Sequence, residues 1–62
     1  MKGAIKALEK VRTDYFFEKV APKDLLEVRT KGAFTEFTVI APDGEIDVYK
    51  IYGSTKEDLL IV

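Results

Sequence analysis

The segment Ala41-Pro42-Asp43-Gly44-Glu45 constrains this chain more than any other. Pro42 presets φ for the first turn position, Asp43 suits the second, and Gly44 accepts the left-handed conformation of a closing bulge. A hairpin built on it pairs Ala41 with Glu45, then Ile40 with Ile46, Thr38 with Val48, Glu36 with Lys50 and Phe34 with Tyr52. From Leu25 onward the apolar period is two, as in half-buried strands. Lys31-Gly32 marks an earlier turn that lays residues 25–30 beside 33–40, so the expected sheet is a three-stranded antiparallel meander.

Two faces follow from that register. Leu26, Val28, Thr35, Phe37, Val39, Tyr49 and Ile51 share one, apolar enough to receive a helix. The other carries Leu25, Glu27, Arg29, Phe34, Glu36, Thr38, Ile40, Ile46, Val48, Lys50 and Tyr52, a charged centre ringed by aromatic and aliphatic groups. A register slip of one residue would exchange the two sets.

Ahead of the sheet the period is helical. At 100° per residue, Ala4, Ala7, Leu8, Val11 and Tyr15 fall in one arc, with Ile5 and Phe16 on its edge and Lys2, Lys6, Lys10 and Thr13 opposite. Glu9, Arg12 and Asp14 flank the stripe, where they can pair with neighbouring charges. The spacing predicts a helix over 3–18, ended by Pro22. Two segments admit alternatives. Pro22, Asp24 and Gly32 could frame a short helix over 23–30, although the alternation favours a strand. Ser54-Thr55-Lys56-Glu57 forms a capping box that favours a short helix over 55–62, while Leu59-Leu60-Ile61-Val62 could instead make a fourth, buried strand. The fold class is α+β, in a single small domain spanning 1–62.

Composition narrows the chemistry. The chain has 62 residues and a formal net charge of −1, with no His and no Cys. Disulfides, thiolate zinc sites and cysteine nucleophiles are excluded, and so are the usual general base and the commonest metal ligand. Ser54 is the only serine; without His its role is helix capping rather than attack, and a Ser54–Lys56 pair is a weak signal. Glu27 and Glu36 can share a face, but Arg29 and Lys50 lie beside them and neutralise any acid–base pair. Asp43, Glu45 and Asp47 offer oxygen ligands without the glycine and terminal glutamate of a calcium loop. The expectation is therefore no enzyme, no cofactor, no metal and no small-molecule substrate.

No segment resembles a signal peptide or nears the roughly 18 apolar residues of a membrane span, so a cytoplasmic protein with no membrane partner is expected. Asn and Gln are absent while Lys and Glu number eight and six, the bias of proteins from thermophiles.

Helix, meander and final helix is the order of double-stranded-RNA-binding domains, and Tyr52-Gly53-Ser54-Thr55-Lys56-Glu57 is similar to the start of that family's last helix. That family presents several lysines there, whereas Lys56 is followed by Glu57 and Asp58. Lys31-Gly32-Ala33-Phe34-Thr35-Glu36-Phe37 is similar to the RNA-recognition-motif signature with one position missing, in a chain too short for that fold's two repeats. Neither likeness assigns a family.

The expected function is a non-catalytic protein–protein interaction module. Its partner is a second copy, giving a homodimer, or another protein. The contact is the outer sheet face, with Arg29, Phe34, Ile40, Ile46, Val48 and Tyr52, or an edge strand. The alternative is weak RNA or DNA binding by Phe34, Tyr52, Arg29 and nearby Lys, which a net charge of −1 disfavours.

Overall fold

A computed structural model of the chain describes residues 2–62, with side chains from Lys6 onward. The side chains of Lys2, Ala4 and Ile5 thus lie outside the described residues. Helix α1 (Lys2–Lys19) is followed by strands β1 (Asp24–Thr30), β2 (Phe34–Ile40), β3 (Ile46–Tyr52) and β4 (Leu60–Ile61). The strands form one antiparallel sheet in the order β1-β2-β3-β4, and α1 covers one of its faces. The α+β architecture is the expected one.

The Pro-Asp-Gly turn forms as its residues dictate. The Ala41 N–H donates to the Glu45 carbonyl at 2.7 Å, the Gly44 N–H donates to the Ala41 carbonyl at 2.9 Å, and Gly44 has φ +92°. The Asp43 carboxylate accepts the Glu45 N–H at 3.0 Å. The turn fixes the β2–β3 register, which pairs Ile40 with Ile46, Thr38 with Val48, Glu36 with Lys50 and Phe34 with Tyr52.

Three expectations are corrected. Residues 24–30 are strand, not helix, but a bulge between Leu25 and Glu27 shifts the β1 register. Leu25 therefore turns inward opposite Val39 while Leu26 is left exposed, the reverse of a regular strand. Second, the C-terminal segment is a strand rather than the favoured helix. The capping box gives way because the Asp58 carboxylate accepts the Ser54 and Thr55 N–H groups, and the short turn that results lets Leu59 enter the core and Ile61 pair with Ile51. The likeness to a final RNA-binding helix disappears with it.

The third correction concerns the helix phase. Among its described side chains Arg12 and Phe16 are buried, while Leu8, Val11 and Tyr15 are half-buried and Ala7 is exposed. The buried stripe is turned by about one residue, ~100°, from the apolar arc of the sequence. Phe16 sets this phase. Its ring stacks on Phe37 at 4.3 Å between centroids and meets Tyr49 edge-on at 5.4 Å, in a core completed by Val39, Ile51 and Leu59. Such aromatic pairs contribute about 0.5–1.5 kcal/mol beyond the area they bury.

Candidate functional site

Beneath α1 lies a polar node that the sequence does not advertise. The Arg12 side chain is fully buried, yet no carboxylate lies within 4.0 Å of it among the described residues. Its Nε donates to the Gly53 carbonyl at 2.8 Å, Nη1 to Thr35 Oγ1 at 3.3 Å and Nη2 to the Ala33 carbonyl at 3.4 Å. Thr30 Oγ1 donates to the Glu9 carboxylate at 2.6 Å, which commits its only proton. The Thr30–Thr35 contact at 3.3 Å must then run from the Thr35 hydroxyl to Thr30. Arg12 and Glu9 are thus joined through two hydroxyls, a relayed ion pair across the helix–sheet seam. Burial pulls the guanidinium below its ordinary range, and the Asp58 carboxylate pulls it back.

Asp58 closes the neighbouring turn. Its exposed carboxylate accepts the Thr55 N–H at 2.7 Å, the Ser54 N–H at 3.0 Å and the Thr55 hydroxyl at 3.1 Å. These bonds, led by that from Thr55, hold its pKa below the ordinary aspartate value of 3.8. A carboxylate with a depressed folded-state pKa stabilises the fold fully above its unfolded value, and the contribution is lost as pH falls through the lowered value. Asp58→Asn should therefore melt below wild type at pH 7, and the gap should close as pH is lowered under 3.8. Thermal melts of both proteins from pH 7 to pH 2 check this; a gap that stays constant would contradict it.

The node faces inward and serves the fold. Among the described residues no layer lies over the opposite face of the sheet. The shortest principal axis is 15 Å, room for one helix layer on one sheet. Arg29, Phe34, Ile40, Ile46, Val48 and Tyr52 lie together on this outer face, as the hairpin register requires. Strand β4 adds two residues that sequence reasoning left out. Leu60 pairs with Tyr52, and Val62 exchanges both backbone hydrogen bonds with Lys50 at 2.8 and 3.2 Å, which puts both side chains on the outer face. Ile46, Val48, Leu60 and Val62 are 65%, 55%, 60% and 68% exposed, an apolar strip along β3 and β4 that Lys50 interrupts.

At one end of the strip Phe34 and Tyr52 lean on each other at 5.2 Å and 45°. Lys31 and Lys50 hold their ammonium groups 5.8 and 5.1 Å from the Phe34 centroid. Such contacts are worth about 0.5–1 kcal/mol when exposed. Arg29 is drawn instead to Glu27, 3.5 Å away on its own strand. Charge thus gathers toward β1 and apolar area toward β4.

Elsewhere, a groove of about 320 Å³ between α1 and the 54–59 segment sets Asp14 and Glu18 against Lys19 and Lys56, with Val11 and Leu59 at its base. No helix among the described residues is long and apolar enough to cross a membrane. The chain matches no protein-family model, no curated protein and no solved structure.

Proposed function

We propose that this chain is a non-catalytic interaction module that self-associates through the outer face of its sheet. The observation that carries this is the open strip of Ile46, Val48, Leu60 and Val62 on a face that none of the described residues covers. Exposed apolar side chains gathered on one face are costly in water and mark a partner surface on small proteins. The two sheet edges are poorer candidates. The β1 edge is blunted by its bulge and by Asp24, Glu27 and Arg29, and β4 is only two residues long. Nucleic acid is also disfavoured. Lys31 and Lys50 already cover Phe34, and Glu27 and Glu36 would face any phosphate laid across the sheet.

Light scattering on a size-exclusion column should show the 7.0 kDa chain doubling in mass as its concentration rises through the micromolar range. Phe34→Ala and Tyr52→Ala should each weaken association about tenfold while leaving the fold intact, as truncation of an aromatic contact residue does. A chain that stays monomeric at high micromolar concentration overturns the proposal. Association untouched by both substitutions moves the contact to an edge strand.

A further inference from the structure

Resting on self-association through the outer face, the charges on that face fix how two copies must meet. Glu36 and Lys50 sit opposite each other in the β2–β3 register, near its middle, and both are half-buried. Among the described residues neither has an ion-pair partner within 4.0 Å; Lys50 lies over the Phe34 ring instead. A layer laid over the outer face takes water from both charges, and an ion left unpaired there is strongly unfavourable. A partner that matches this face must therefore bring a carboxylate to Lys50 and a cation to Glu36. A second copy brings both.

We infer that two copies pack outer face to outer face about a two-fold axis running along the strands between β2 and β3. Glu36 of each copy then meets Lys50 of the other. A two-fold parallel to the strands keeps each residue's height along the sheet and reverses strand order, so every cross-strand row faces itself. Placed over β2 the axis would set Glu36 on Glu36, and over β3 it would set Lys50 on Lys50. Between β3 and β4 it would lay Lys50 on Val62 and give Glu36 nothing. An axis across the strands swaps one row for another, or sets like charge on like. Only the axis between β2 and β3 pairs both charges, and does so twice.

The same axis brings Ile46 over Ile40, Val48 over Thr38 and Tyr52 over Phe34, and at the margin of the contact it lays Val62 over Arg29. Seven-residue strands at ordinary rise and spacing give the face a footprint of roughly 400 Å², which side-chain relief raises toward the about 600 Å² per partner of the smallest stable interfaces. The product is an aligned sandwich with the sheets about 10 Å apart and helices outside.

Two single charge reversals test the arrangement. Glu36→Lys and Lys50→Glu should each weaken homodimerisation about a hundredfold, because each sets like charges together at two symmetric points. An equimolar mixture of the two variants should form a heterodimer, since the Lys at 36 in one chain then meets the Glu at 50 in the other, and the native pair forms beside it. Native mass spectrometry with one chain isotopically labelled reads the mixed species directly. The double variant should recover the homodimer. Repulsion within each chain is unchanged by mixing, so recovery in the mixture cannot be a folding effect, and circular dichroism of each variant alone verifies the fold. A wild-type dimer whose variants stay monomeric on mixing, or dimerise undisturbed, overturns this axis and leaves self-association standing. A wild-type monomer overturns both.

Discussion

Arg12→Ala should remove a large share of the protein's stability at 25 °C. A 62-residue domain has a total stability of about 3–9 kcal/mol. Removing the Arg12 side chain opens a cavity at the helix–sheet seam and leaves the Gly53 and Ala33 carbonyls and the Thr35 hydroxyl without their donor. Of these only the Thr35 hydroxyl is fully buried; a buried acceptor so orphaned costs about 1–3 kcal/mol, and with the cavity the loss reaches roughly 3–5 kcal/mol. Arg12→Met separates the two causes. It restores volume and relieves the guanidinium of its desolvation but supplies no donor, so about 1–3 kcal/mol should be lost. Arg12→Lys should fall between them, because one ammonium cannot span three acceptors set in a fork. Urea unfolding followed by far-ultraviolet circular dichroism gives the order. A Met variant as stable as wild type would show that the guanidinium's desolvation cancels its hydrogen bonds.

Arg12 also shows where the sequence falls silent. Its acceptors are 41 and 21 residues away, at Gly53 and Ala33, so nothing within the helix announces that this charge is buried. The apolar arc of Ala7, Leu8, Val11 and Tyr15 points to a different phase, and Phe16, which anchors the core on Phe37, sits at its edge. One helical signal does exist. Leu8, Arg12 and Phe16 recur at spacing four, and both Leu8 and Phe16 are drawn inward.

The β2–β3 hairpin is legible because one turn decides seven cross-strand pairs at once, and with them the face on which Phe34, Ile40, Ile46, Val48 and Tyr52 lie. The β1 bulge is not legible. Leu25 and Leu26 are identical neighbours, and two equal apolar residues carry no alternation to read. Nor is the contribution of Leu60 and Val62 to the outer face. It depends on whether 58–62 coils or extends, and that is decided by the Asp58 carboxylate and by the place Leu59 finds in the core.

The glycines offer the second large effect, because they separate strain from collision. Gly44 and Gly53 both have positive φ, +92° and +104°. A Cβ at Gly44 meets nothing within 4 Å, so Gly44→Ala should cost only the backbone strain, about 1–2 kcal/mol. Gly32→Ala, with neither positive φ nor a neighbour in reach, should be neutral or slightly stabilising. At Gly53 the added carbon would run into the Asp58 backbone carbonyl and stand 2.9 Å from its Oδ1. The chain must then move the turn that Asp58 closes, and Gly53 also holds the carbonyl bonded to Arg12. Gly53→Ala should therefore lose about 3 kcal/mol or more, from strain and broken hydrogen bonds together. The damage should be local first. The Val62 N–H, which donates to the Lys50 carbonyl at 2.8 Å, should lose its protection from hydrogen exchange before the β2–β3 amides do. With β4 released, Leu60 and Val62 leave the outer face, so self-association should weaken even in the fraction that stays folded. Equal stability of the Gly53 and Gly44 alanine variants, with Val62 still protected, would mean that the 54–58 turn yields freely and that the fourth strand does not depend on it.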